Sequence, residues 1–173
     1  MTNRRIFRKD STDRPAVDQA WKVHDTAAGA IGKADSKAQF AAGLETAAIA
    51  AVVTVAGQPF IATAGKVALG ISAGLLLAAL VLAVAAVLPI LHNRKRGAAV
   101  PGDYLYFGSL RRTTAAELAD RLTHEDAMTG LCAQTITLSR LAWAKHRLLQ
   151  ASLIAAIAGI ALAAVTVLLA GVR

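Results

Sequence analysis

The chain contains, between Val67 and Leu91, the uncharged run VALGISAGLLLAALVLAVAAVLPIL, which is 25 residues long. At ~1.5 Å per residue, a helix of this length exceeds the ~30 Å thickness of the hydrocarbon core of a bilayer. The basic cluster Arg94, Lys95 and Arg96 closely follows the run. This stretch therefore predicts a transmembrane helix and decides the fold class of the chain.

Two further apolar runs lie on either side of this one. Residues 151–172 carry no charge and are followed by Arg173, whereas residues 40–57 contain one charged residue, Glu45. Gln58 and Pro59 predict a short turn between the runs at 40–57 and 67–91. We therefore expect an all-α integral membrane protein with three transmembrane helices, the first two of which form a helical hairpin.

Composition agrees with a membrane protein and argues against a nucleic-acid-binding one. The chain is 55% hydrophobic but only 5% aromatic, and its apolar residues are gathered in blocks. The net charge of +8 comes from residues that flank these blocks, without a basic stripe interleaved with aromatic residues. The bilayer is therefore the expected partner, and nucleic acid is not. The single cysteine, Cys132, is expected to be a reduced structural thiol.

The distribution of basic residues predicts the orientation in the membrane. Residues 1–37 hold eight Lys and Arg and residues 92–150 hold nine, whereas the remaining two of the 19 are Lys66 and Arg173. Cytoplasmic segments near membrane spans are enriched in Lys and Arg. We therefore expect a multi-pass protein of the cell membrane with a cytoplasmic N-terminus, a cytoplasmic segment between the second and third spans, and an external C-terminus.

The polar segments predict a small cytoplasmic helical bundle. After a basic, flexible N-terminus (1–14), residues 15–37 have the apolar period of an amphipathic helix, with a break expected at Gly29 or Gly32. Residues 97–148 begin with a linker and continue with helices, and Thr114 with Glu117 forms a capping box for a helix through about Thr123. One long helix is expected to run from near Glu125 through the third span. An antiparallel arrangement of these cytoplasmic helices would cover their apolar faces.

The sequence offers little catalytic chemistry. His24-Asp25 resembles a metal-binding dipeptide, but the other histidines are isolated and no nucleophile stands beside a matching base. We therefore expect no enzymatic activity, no metal and no cofactor.

Glu45 is the first of two charged positions that stand out. It lies about two turns inside the first span, where an ionised carboxylate costs roughly 2.5 kcal/mol or more unless it is hydrated or partnered. Either the span begins later and Glu45 lies at the interface, or Glu45 faces a helical bundle, in a polar pore with Thr46 and Thr54. The sequence leaves both open.

The second position is Asp35, which lies between Lys33 and Lys37 at the start of the same span. Lysines at this boundary are ordinary membrane anchors, and Asp35 weakens such an anchor. Alternatively, Asp35 forms an ion pair with Arg140 or Lys145 of the long C-terminal helix. Asp35, Lys37, Glu45, Arg140 and Lys145 are therefore the candidate functional residues.

Small residues recur at helical spacing in two spans. Gly70 and Gly74 form a GxxxG pattern, and Ala155, Gly159 and Ala163 repeat every four residues. Such faces allow close packing of membrane helices, and they also arise by chance in alanine-rich spans. Together with Glu45, which one three-helix protomer shields poorly, they predict a homo-oligomer.

The motif Ala34-Asp35-Ser36-Lys37-Ala38, entering an apolar span, resembles the ADxKA motif of the Pycsar effector transmembrane family. Tyr106-Phe107-Gly108, Leu138-Ser139-Arg140 and Lys145 are also similar to that family, and the resemblance covers roughly residues 18–172. It implies a role in antiphage defence. In such systems a phage-triggered cyclase makes a cyclic pyrimidine nucleotide, and membrane effectors then compromise the inner membrane.

The resemblance also concerns the signal that would activate the protein. Members of the family carry an additional cyclic-nucleotide-binding domain, whereas this chain is expected to be a stand-alone member without one. Its signal would then be a cyclic nucleotide bound by the helical part, or a separate nucleotide-sensing protein. The alternative function is that of a non-enzymatic membrane adaptor or scaffold whose cytoplasmic bundle docks a soluble partner.

Overall fold

The computed structural model describes residues 14–88, 107–111, 113–124 and 126–171. Within these ranges every regular element is an α-helix: α1 (Arg14–Ala56), α2 (Thr63–Val87), α3 (Phe107–Leu110), α4 (Ala115–His124) and α5 (Ala127–Gly171). Three of them, α1, α2 and α5, are long and apolar enough to cross a membrane. The predicted all-α fold with three membrane-spanning helices is thereby confirmed.

The described residues form two compact units. One contains residues 14–29 of α1, helices α3 and α4, and residues 127–140 of α5. The other, called the membrane bundle below, contains residues 30–56 of α1, helix α2 and residues 141–171 of α5. Helices α1 and α5 contribute to both units.

The long helices are continuous. Helix α1 has 43 residues and passes Gly29 and Gly32 without interruption, so the expected break at these glycines was wrong. Helix α5 has 45 residues, so the prediction of one long helix through the third span is confirmed, with its first residue at Ala127. At ~1.5 Å per residue each is about twice as long as the ~30 Å hydrocarbon core.

Side-chain caps fix the starts of α4 and α5. The Thr114 backbone N–H donates to Glu117 Oε2 at 2.9 Å, and the Glu117 N–H donates to Thr114 Oγ1 at 3.3 Å, which is the predicted capping box. The Thr114 N–H is the main reason why the pKa of Glu117 is lowered. At the start of α5, Asp126 accepts hydrogen bonds from the Thr129 hydroxyl and from two backbone N–H groups, which lower its pKa.

Most buried positions in the helices of the membrane bundle are spaced alternately three and four residues apart, and Glu45 and Val52 are seven apart. This spacing is typical of the left-handed packing of helices in coiled coils and membrane bundles. The buried residues are Ala34, Ala38, Ala41, Glu45 and Val52 in α1, Leu69, Ser72, Leu76, Ala79, Ala83 and Ala86 in α2, and Ala142, Lys145, Leu149, Ser152, Ala156 and Gly159 in α5.

Small side chains fill the interior of the membrane bundle, and large apolar ones cover its surface. Most of the buried residues are alanine or serine, whereas Phe40, Ile157 and Leu168 are 71%, 67% and 69% exposed. Small residues let membrane helices approach closely, and the large apolar side chains suit contact with lipid. This distribution is the reverse of that in a soluble domain, where such an exposed apolar surface would be unusual.

Contacts between the helices give their relative directions. Asp35 contacts Lys145 and Glu45 contacts Ser152, so α1 and α5 run parallel within the membrane bundle. Helix α2 runs opposite to both, since its start packs near Gly159 and its end near Leu149. The predicted turn follows α1, where the Gln58 N–H donates to the Val55 carbonyl at 3.0 Å.

Some predicted features lie outside the described residues. These are the basic N-terminus, the basic cluster after the second span, the linker from 97 and Tyr106 of the family-like motif.

Candidate functional site: polar contacts inside the membrane bundle

The first polar contact joins α1 and α5 at the start of the membrane bundle. Lys145 Nζ donates to Asp35 Oδ1 at 2.5 Å, and this is also an ion pair. The Lys145 side chain is only 5% exposed, whereas that of Asp35 is 30% exposed. A buried ammonium group is costly unless it is paired, so Asp35 is the group that makes the burial of Lys145 tolerable.

The second contact joins the same two helices further along. Ser152 Oγ donates to Glu45 Oε1 at 2.6 Å. Glu45 is 3% exposed and Ser152 is fully buried, so Glu45 faces the bundle. Among the described residues its other oxygen, Oε2, is buried and has no hydrogen-bond partner. Glu45 is therefore a carboxyl group with one oxygen satisfied and one available.

The third contact joins α2 and α5. Ser72 Oγ donates to the backbone carbonyl of Gly159 at 2.7 Å, and Ser72 is fully buried. A Cβ atom on residue 159 would lie 3.0 Å from Leu76 Cγ and 3.1 Å from the Ser72 carbonyl oxygen. Gly159 is therefore the point of closest approach of these helices, where no larger residue fits without movement.

The three contacts follow one line of α5. Lys145, Ser152 and Gly159 are each seven residues apart and so occupy the same position of successive heptads. At ~1.5 Å per residue they extend over about 21 Å of the helix axis. We call this set of three contacts, with their partners Asp35, Glu45 and Ser72, the polar file.

Two other candidate residues lie outside the polar file. Lys37 and Arg140 are both exposed, and no ion pair involving either is found within the part of the chain that the structure describes. Of the two cations considered for Asp35, it is Lys145 that contacts it. Lys37 follows Asp35 by two residues and so lies on a different face of α1.

The threonines expected beside Glu45 do not accompany it. Thr46 and Thr54 are exposed, and their hydroxyl groups donate to the carbonyls of Ala42 and Ala50, each at 2.8 Å. The expected polar pore with these threonines was therefore wrong. A threonine hydroxyl that bonds to its own helix needs no polar neighbour, and it is compatible with contact with lipid.

The small residues divide into two groups. Gly159 is at the α2–α5 contact, and Ala155 is partly buried against the same core. Gly70 and Gly74 are exposed, and an added Cβ at either position would meet nothing within 4 Å. The GxxxG face of α2 is therefore not packed against any of the described residues of the protomer.

The metal-binding dipeptide is not supported by its surroundings. His24 Nδ1 lies 3.4 Å from Asp25 Oδ1, and the His24 ring packs edge-to-face on Trp21. Within the described ranges no group of three or more His, Cys, Asp or Glu residues could hold a metal ion.

Sequence reasoning missed Ser72 and Ser152. A serine in an apolar run has no charge that marks it as unusual, and serine is common in membrane helices. The only signal available was the spacing of seven residues between Lys145 and Ser152, which places Ser152 in phase with a charged residue.

Comparison with known proteins identifies one family. The model of the Pycsar effector protein domain matches residues 19–172 of the chain. No curated protein and no solved structure matches. The match covers all the residues of the polar file.

Proposed function

Since this chain belongs to the Pycsar effector protein domain family, we propose that it is a membrane effector of an antiphage defence system that impairs the integrity of the inner membrane on activation. The family match over residues 19–172 is the observation that carries this proposal. The three apolar helices support it, since they provide a membrane-embedded body. We also propose that the protein acts on the membrane without catalysing a chemical reaction.

The trigger proposed is a cyclic nucleotide or a nucleotide-sensing protein acting on the cytoplasmic helices. Helices α1 and α5 are each continuous from one unit into the other. A displacement of their N-terminal ends would therefore move the residues of the polar file as well. Such a signal acts only if it binds one arrangement of these helices better than another. The activated state would then be a different packing of the membrane bundle.

Production of this chain alone, at high level, is expected to depolarise bacterial cells. A potential-sensitive dye measures the effect after induction. Thr46→Ala should act like the parent, since Thr46 is exposed and its hydroxyl bonds to its own helix. An adaptor that merely docks a partner should leave the potential unchanged, and that result would contradict the effector function.

We propose an orientation in which the N-terminal ends of α1 and α5 lie on the cytoplasmic side, as the distribution of basic residues predicts. The exposed Cys132 provides a native reporter. In spheroplasts, a membrane-impermeant maleimide is expected to leave Cys132 unlabelled. It should label Ala62→Cys, in the turn before α2, in a Cys132→Ser background. Labelling of native Cys132 in sealed spheroplasts would overturn this topology.

We also propose that the effector is a homo-oligomer. Gly70 and Gly74 present an open small-residue face on α2 that none of the described residues covers. Such a face permits close approach of a second helix in a bilayer.

A further inference from the structure

The interior of the membrane bundle carries an acidic group that no basic residue among the described ones neutralises. In its described residues the acidic side chains are Asp35 and Glu45. Asp35 is paired with Lys145, and the hydroxyl of Ser152 is the one partner that the described residues give Glu45. The buried oxygen Oε2 of Glu45 is therefore available to a partner that the described residues do not supply.

The surroundings of Glu45 favour a small occupant. On α1 it lies between Ala41 and Ala48, and on α2 the same level falls between Ala79 and Ala86. Alanine side chains fill little space, and they provide neither a proton donor nor a charge to compete for the carboxyl oxygen. A slight separation of the helices would open a narrow space here rather than a wide one.

The polar file extends from this position in both directions along the bundle. Lys145 and Asp35 lie about 10 Å from Ser152 towards the start of α5, and Ser72 and Gly159 lie about 10 Å in the other direction, at ~1.5 Å per residue. Ionisable groups inside a membrane bundle commonly mark ion pathways, since their cost is otherwise unexplained. Rings of acidic side chains give channels a preference for cations.

We propose that the polar file is a path for monovalent cations and that Glu45 is the cation-binding site within it. This inference rests on the proposed effector function and specifies what crosses the membrane. The occupant is a proton or an alkali cation held at the carboxyl oxygens of Glu45. Anions are excluded, because the described residues place no basic group beside Glu45 to attract them, and large solutes are excluded, because a slight separation of the helices would open only a narrow space.

The test uses the full chain reconstituted in vesicles of phosphatidylethanolamine and phosphatidylglycerol. Fluxes of K⁺, Na⁺, H⁺ and Cl⁻ are measured, together with the release of the large dye calcein. We expect cation flux without calcein release. Glu45→Gln keeps the size of the side chain and its acceptor for Ser152 but removes the charge, and it should reduce cation flux by at least about tenfold and abolish selectivity over Cl⁻. Thr46→Val is the control and should behave like the parent.

A second measurement, which does not depend on ion flux, identifies the cation that binds Glu45. Dicyclohexylcarbodiimide enters membranes and modifies buried carboxyl groups, and mass spectrometry locates the modified residue. Slower labelling of Glu45 in the presence of K⁺ or Na⁺ assigns an alkali cation to the site. Labelling that responds to pH but to neither salt assigns the proton.

The outcomes separate the inference from the proposed function. Equal passage of Cl⁻ and K⁺, release of calcein, or unchanged selectivity in Glu45→Gln would overturn the assignment of Glu45 while leaving the effector function intact. Wild-type vesicles that pass no ion of either sign would overturn the path through the polar file, whereas the effector function itself is tested separately by the membrane potential of producing cells. Circular dichroism and gel filtration of Glu45→Gln, expected to match the parent, show that any loss is not a loss of folding.

Discussion

Asp35→Ala is expected to lower the free energy of unfolding of the membrane bundle by about 3 kcal/mol, because it leaves the Lys145 ammonium buried without its partner. Lys145→Met should cost less, although it breaks the same ion pair. The reason is the difference in exposure: the Asp35 side chain is 30% exposed and can be hydrated, whereas that of Lys145 is 5% exposed and cannot.

The double variant Asp35→Ala/Lys145→Met separates the two effects. Removing both members of a buried ion pair is often nearly neutral, since no stranded charge remains. We therefore expect the double variant to be more stable than Asp35→Ala alone. The measurement is unfolding in mixed micelles, followed by circular dichroism, on all four proteins of the cycle.

Lys37→Ala is the matched control for this cycle. Lys37 belongs to the same motif but is exposed, and exposed substitutions usually change stability by no more than about 0.5 kcal/mol. If Asp35→Ala were as harmless as Lys37→Ala, the motif would be an ordinary membrane anchor. A double variant as unstable as Asp35→Ala would show that the ammonium group is not the source of the loss.

The positions of the helices could be predicted from the sequence because the signals for them are local. An uncharged run longer than the hydrocarbon core leaves the chain little choice but a helix, since its backbone groups have no water to bond. The capping box of α4 involves residues only three apart and was predicted for the same reason. The continuity of α5 follows from the absence of proline along it.

The contents of the bundle interior could be predicted only in part. A charged residue such as Glu45 or Asp35 is conspicuous in an apolar run, so both were recognised as candidates. Which residue meets it depends on the register between two helices, which no local pattern fixes. Arg140 and Lys145 were therefore equal candidates for Asp35, and Ser152 was not considered for Glu45. The break expected at the glycines of α1 did not occur, since packing of the helix outweighs the ~1 kcal/mol propensity cost of one glycine.

Gly159→Ala is expected to destabilise the membrane bundle by about 1–3 kcal/mol, the usual cost of inserting a methyl group into a packed core. The added carbon would lie 3.1 Å from the backbone carbonyl oxygen of Ser72, which cannot rotate away as a side chain can. Helices α2 and α5 would have to separate, and the hydrogen bond from Ser72 Oγ to the Gly159 carbonyl would lengthen. Thermal unfolding in detergent measures the effect.

Gly70→Ala provides the control within the same fold. An added Cβ at Gly70 meets nothing within 4 Å, so the only expected effect within a protomer is a gain of up to ~1 kcal/mol from better helix propensity. Equal destabilisation by the two substitutions would mean that α2 and α5 do not meet at Gly159.

Larger substitutions at the GxxxG face separate folding from assembly. Gly74→Ile leaves the contacts of one protomer unchanged, because the position is open, but it fills the space that a second copy would need. Native mass measurement in lipid nanodiscs should therefore give an oligomer for the parent and for Gly74→Ala, and fewer copies for Gly74→Ile, with the same helical content in all three. A parent that is already monomeric would contradict the oligomer, and an unchanged copy number in Gly74→Ile would place the contact between copies on another face.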